Sequence, residues 1–309
     1  MVTRVSTSGS YSAVLANLLA AQQRQTDAGS KVATQKNGSN LKDYARDADM
    51  LTAMRTLKSR MDVYVDQNSF IAEKLANQDT ALNRVADAAR DTKQIIAEAL
   101  ASGQADTLIE DLEAQLRNAI EGMNARYGGK YLFAGGQVDT KPVTATDMAS
   151  LAPPAVIANL FLNDDYKATA QVDEATTVTT GILAEDIGTD LLNAYRALQV
   201  FHTGGSGPFT GQLTAAQKTF LEGQLTVWEG VRSDAVSLTA RNGLTQQRVE
   251  SVKEALISRQ NALAGMMGDI TDADMAEAAS NLQQAQLSVQ AAAHVFASLA
   301  ETSLLNILK

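Results

Sequence analysis

The chain has 309 residues, enough for one large domain or two to three smaller ones, and is 45% hydrophobic but only 5% aromatic. Its net charge of −9 and lack of a clustered basic face argue against a nucleic-acid partner. With no cysteine and two histidines, a disulfide framework is impossible and a Cys/His metal site has almost no material. No apolar run reaches about 18 residues, so no membrane contact is expected.

The first residues, MVTRVSTSGSYSAVLANLLAAQQ, lack the layout of a cleaved signal peptide. Composition alone would therefore place the protein in the cytoplasm. A weak helical stripe passes through Tyr11, Leu15, Leu18 and Val32. A much stronger one follows, in alternating steps of three and four, from Met54 and Leu57 through Ile71, Leu75, Leu82 and Val85 to Ile96 and Ala99. That span contains no proline or glycine and reads as a sustained coiled-coil face. Asn68, Gln78 and Thr92 interrupt it. We read them as solvated residues at a seam edge, with register setting as the alternative.

Leu112, Leu116 and Met123 continue a helical face that breaks at GGKYLFAGGQVDTKPV, residues 128–143. Gly128 and Gly129 are read as ending the helix, because glycine enters left-handed backbone angles freely. Tyr131 and Phe133 alternate with Leu132 in a short extended segment, and Gly135 and Gly136 allow a tight turn before Pro142. A phosphate-cradling loop requires a strand, then glycines, then a helix; here a helix comes first. The middle of the chain holds all four prolines, and YKATAQV and TTVTTGIL read as short strands. HTGGSGPFTG, residues 202–211, is a loop by composition.

A second long stripe runs through Val231, Ala235, Leu238, Asn242, Val249, Val252, Leu256 and Leu263 to Ile270, with Trp228 and Phe220 expected in the core near its start. DITDAD, residues 269–274, fails the spacing of a calcium loop and reads as a helix start, with Thr271 as cap and Asp272 and Asp274 in the first turn. A third stripe then repeats at intervals of seven: Met275, Leu282, Val289 and Phe296, with Ala278, Ala285, Ala292 and Leu299 on the companion line. His202 and His294 read as surface residues. No constellation supports catalysis, a cofactor or a metal, so the protein is not expected to be an enzyme.

Both chain ends carry a family resemblance. ITDADMAEAASNLQQAQLSVQAAAHVFASLAETSLLNILK resembles the carboxy-terminal region of the bacterial flagellins and their hook-associated relatives. RVSTSGSYSAVLANLLAAQQRQTDAGSKVATQKNGSNLKDYARDAD is similar to the amino-terminal helix and spoke of that family, though KDYARD stands where the family usually has DDP. YLFAGGQVDTKPV is similar to the transition of the members that join the hook to the filament, with PV for the usual PF.

The resemblance implies a mainly α fold with a small β-containing insertion, arranged as a flagellin-like antiparallel helical coiled-coil rod built from both chain ends. Residues 1–40 and 271–309 would form a terminal-helix inner tube domain. Residues 41–130 and 220–270 would form the rod, and 131–219 a partly β outer domain. The implied function is that of a structural adaptor joining hook to filament; a filament-forming flagellin is the near alternative and a secreted coiled-coil binding protein the distant one. Leu15, Leu18, Met275, Leu282, Val289, Phe296, Leu299, Leu304 and Leu305 are the expected assembly interface, and Tyr131, Phe133, Gly135, Gly136 and Pro142 the transition to the outer domain. Implied partners are a hook-associated protein on the hook side, flagellin on the filament side, copies of the chain in a ring, and a cytoplasmic flagellar export chaperone. Localisation becomes extracellular, by flagellar type III export without a cleaved signal peptide. The terminal stripes are narrow and alanine-rich, so they are expected to order only on assembly.

Overall fold

A computed structural model describes the backbone of residues 2–307 and the side chains of residues 12–299. Among these residues the chain is mainly helical, with two small antiparallel sheets of two strands each. It divides into two compact units, Met1–Arg60 with Arg259–Lys309, and Met61–Ser258.

The first unit is built on helices α1 (Val2–Thr34) and α6 (Met275–Ile307), together with the start of α2 (Ala48–Ser102) and the end of α5 (Ala215–Thr271). The Cα atoms of α1 and α6 approach within 8 Å, and the antiparallel bridge between Lys36 and Asp272 sets their opposite directions. Val14, Leu18, Ala21, Gln25, Ala28 and Val32 line one side of the seam by burial, in steps of four and three. Ala278, Leu282, Ala285, Val289, Ala292, Phe296 and Leu299 line the other with the same steps. This is the spacing of a two-stranded coiled coil. Ala21, Ala28, Ala278 and Ala285 are buried, so small residues at the contact are what let the helices approach. Here α1 and α6 are both helical and pair with each other through this alanine seam.

Asp274, not Thr271, starts α6. Its Oδ1 accepts from the amides of Ala276 at 2.8 Å and Glu277 at 3.2 Å, two donors that the first helical turn would otherwise leave without partners. Thr271 instead closes α5, and its carbonyl accepts the Asn37 amide at 2.8 Å. Gln35, in the left-handed region at φ 58°, turns the chain out of α1, and its carbonyl accepts from Ala273 at 3.0 Å. A one-turn 3-10 helix, Leu41–Tyr44, follows.

In the second unit α2, free of proline and glycine, runs unbroken until Gly103, whose φ of 71° and amide bond to the Ala99 carbonyl at 2.9 Å end it. Helices α3 (Leu108–Met123) and α4 (Ala184–Thr203) pack with α2 and α5 around Leu82, Ile96, Leu116, Leu191, Tyr195 and Trp228, all fully buried. Tyr195 and Trp228 meet edge to face at 4.6 Å between ring centroids. Phe220, half-buried, stacks on Phe201 at 4.0 Å. The threonine-rich segments form strands as expected, β3 (Thr169–Gln171) and β4 (Thr177–Thr179), and the two pair antiparallel. Val178 of β4 and Val172, the residue after β3, join Ile71, Leu75 and Val249 in a second cluster. Strands β1 (Arg126–Tyr127) and β2 (Lys130–Tyr131) form the other hairpin.

Candidate functional site

The break after residue 123 is a folded corner held from several sides. Helix α3 stops at Met123, ahead of the glycines. Asn124, a residue the sequence reading passed over, fixes this end: its Nδ2 donates to the Val143 carbonyl and its Oδ1 accepts the Val143 amide, both at 3.0 Å. Gly128 and Gly129, at φ 56° and 82°, form the two-residue turn between β1 and β2 and do not end the helix. Two consecutive positive φ values are what the tight hairpin turn requires, and glycine supplies them without a steric cost.

The five transition residues lie along this corner. Half-buried Tyr131 pairs across the hairpin with Arg126, whose guanidinium sits 4.1 Å from the ring centroid. Phe133 is fully buried, and its carbonyl accepts the amide of Ala184 at the start of α4 at 2.9 Å. Gly135 adopts φ 65°, and the Gly136 amide donates to Asp164 Oδ1 at 2.7 Å. Pro142 is buried, and its carbonyl accepts the Leu162 amide at 2.8 Å.

The polar residues interrupting the α2 stripe are not solvated seam edges. Asn68, Gln78 and Thr92 are fully buried. Asn68 Nδ2 donates to the Val172 carbonyl at 2.9 Å, Gln78 Nε2 to the Thr180 carbonyl at 3.2 Å, and Thr92 Oγ1 shares a hydrogen bond of 2.6 Å with the Tyr195 hydroxyl. Burial pushes the Tyr195 phenol well above its ordinary pKa, so it stays a neutral hydroxyl. Each interruption thus receives part of the middle of the chain. The spacing located these residues but not their partners, which lie more than 100 positions away.

At the termini, Leu18, Leu282, Val289, Phe296 and Leu299 are half-buried in the α1–α6 seam. Leu15 and Met275 lie off its core, each 40% exposed. The side chains of Tyr11, Leu304 and Leu305 lie outside the described residues. Lys36 pairs with Asp272, and this bond, followed by that from Thr271, holds the Asp272 carboxyl below its ordinary pKa. His202 accepts the Phe209 amide at Nδ1, 3.2 Å away, and His294 is exposed. No group of three or more acidic or histidine side chains among the described residues can hold a metal, and no described helix is long and apolar enough to cross a membrane. What the arrangement offers is surface for packing: a narrow terminal seam with large residues only half covered, and an insertion keyed to α2.

Comparison with known proteins agrees in kind. The profile of the bacterial flagellin N-terminal helical region matches residues 5–138, and that of the bacterial flagellin C-terminal helical region matches residues 228–308. A structure from Vibrio parahaemolyticus, assigned as a flagellar hook-associated protein, superimposes with a TM-score of 0.61 at 16% identity, covering 74% of this chain and 100% of its own. The crystal structure of Bacillus cereus FlgL gives a TM-score of 0.53 at 12% identity, covering 71% of this chain and 99% of its own. At these identities the likeness is one of fold. Among curated protein sequences, none matches this chain.

Proposed function

The chain belongs to the bacterial flagellin family and is a structural protein of the extracellular flagellum, and we propose that within it the chain is the adaptor joining hook to filament. The observation carrying this finer reading is the near-complete coverage, 100% and 99%, of two solved chains, one assigned as hook-associated and the other FlgL. The YLFAGGQVDTKPV corner, so similar to that of the joining members, supports the same reading.

In this function the terminal helices form the inner tube domain and the long helices the rod, while residues 131–219 project as the outer domain. The α1–α6 seam leaves Leu282, Val289 and Phe296 half-covered, so helices of neighbouring subunits have apolar area to take up. One ring face meets a hook-associated protein, the other meets flagellin, and copies of the chain close the ring. Before export by the flagellar type III route, a helix-binding cytoplasmic chaperone covers the terminal stripe.

Micrographs of flagella labelled against this protein test the reading. A single band at the hook end is expected. Signal along the whole filament would select the filament-forming flagellin instead.

A further inference from the structure

The sequence contains two Asn-Gly pairs, Asn37–Gly38 and Asn242–Gly243, and the fold treats them differently. Glycine after asparagine leaves the next backbone nitrogen unobstructed, so at such a pair an asparagine side chain most readily closes on its own backbone. Asn242 lies within α5, is 2% exposed, and donates from Nδ2 to the Leu75 carbonyl at 2.9 Å. The helix also fixes the Gly243 amide in its hydrogen-bond ladder, which leaves no room for ring closure. Asn37 is exposed, in a bend between α1 and the 3-10 helix Leu41–Tyr44.

Asn37 is also part of a joint. Its amide donates to the Thr271 carbonyl and its Nδ2 to the Asp272 carbonyl, both at 2.8 Å, which ties the chain after α1 to the turn between α5 and α6. Lys36 pairs with Asp272 beside it. The Gly38 amide donates to the Tyr44 hydroxyl at 2.8 Å, and that hydroxyl lies within reach of the Gly38 and Thr271 carbonyls, at 2.9 and 3.2 Å. The Gly38 nitrogen is thus restrained by one side chain and not by a helix.

We propose that Asn37–Gly38 is a site of spontaneous deamidation, restrained by Tyr44, whose product loosens this joint. Hydroxide takes the Gly38 amide proton, and the nitrogen attacks Asn37 Cγ. The Cγ–Nδ2 bond breaks, and the nitrogen leaves as ammonia with a proton from water. Water then opens the cyclic imide at either carbonyl, leaving aspartate or isoaspartate at position 37. A carboxylate has no hydrogen to give the Asp272 carbonyl, and it sets a second negative charge beside Asp272. Isoaspartate also lengthens the backbone and so shifts the amide that bonds Thr271. The site is independent of the hook-to-filament reading, since it rests on a joint within the first unit.

The test is peptide mapping by mass spectrometry of the full chain, incubated at mildly alkaline pH below its melting temperature. Conversion at Asn37 should outpace that at Asn242 about tenfold or more, because an exposed bend opens locally at far lower cost than a buried helix. In Tyr44→Phe the Asn37 rate should rise about fivefold, as the loss of one hydrogen bond allows, while the Asn242 rate stays. Circular dichroism of that variant shows whether its helices have stayed folded. Asn37→Asp, which carries the product from the start, should release the terminal helices to limited protease sooner than the native chain does. Equal conversion at the two asparagines overturns the proposal. So does a rise in folded Tyr44→Phe no greater at Asn37 than at Asn242, or digestion of Asn37→Asp at the native pace.

Discussion

The side-chain amide of Asn68 donates to the backbone carbonyl of Val172 at 2.9 Å, and Asn68 is fully buried. A polar residue at a coiled-coil core position thus anchors the β3–β4 hairpin, which lies 104 residues further along the chain. Replacing it by leucine removes the donor and strands the Val172 carbonyl. Asn68→Leu is expected to cost about 1–3 kcal/mol. Hydrogen exchange of the amides across residues 169–179 should rise with it. Unchanged exchange there would mean that the apolar contacts of Val172 and Val178 hold the hairpin unaided.

Leu75 and Leu256 are 1% and 4% exposed, both on predicted seam positions. Either substitution by alanine should destabilise the second unit by about 2–5 kcal/mol, from lost burial and the cavity left behind. Urea unfolding midpoints measure it, and a midpoint that does not move would show that the seam closes around the missing atoms.

The two units should differ in resistance to protease. The α1–α6 seam is built on alanines, each burying little apolar area, whereas the second unit buries leucines, isoleucines and a tryptophan. Limited digestion of the monomer should therefore remove the terminal helices first and leave a core from about the spoke after Asn40 to about Ile270. Loss of the middle before the ends would contradict this order of stabilities.

Leu282 and Phe296 sit half-buried on α6, and aspartate at both would place charge along the stripe offered to neighbouring helices. The double variant Leu282→Asp/Phe296→Asp should keep the second unit folded by circular dichroism and melting. Cells carrying it should release the protein into the medium and lack attached filaments. Normal filaments from that variant would show that α6 is not the assembly surface.

The bond from Lys36 lowers the Asp272 pKa, so the folded state binds this proton less readily than the unfolded chain does. The contribution is fully present above the ordinary value of 3.8 and is lost as pH falls through the lower folded value. Both side chains are exposed, 47% and 57%, so the effect is screened and small. Melting midpoints of the native protein and Asp272→Asn should differ slightly near neutral pH and converge in acid. A difference that grows on acidification would reverse the sign.

Periodicity alone determined the long helices. A seven-residue apolar repeat without proline over Met54–Ala99 has no other good solution, because only helical spacing brings those side chains to one face. Threonine and β-branched residues in partial period-two alternation likewise marked β3 and β4. Both signals are local, so the sequence carries them whole. The partners of Asn68, Gln78 and Thr92 were decided by the tertiary structure, since a polar residue in a stripe looks the same whether water or a distant carbonyl receives it. So was the cap of α6: Thr271 and Asp274 are both good caps by type, and only the course of α5 through Thr271 leaves Asp274 the first free position. On α6 the repeat named two lines but not their order of burial. Pairing with α1 put Ala278 and Ala285 innermost, left Leu282, Val289 and Phe296 half-covered beside them and Met275 exposed, because helices that meet at small residues approach closely and cover the larger line only in part.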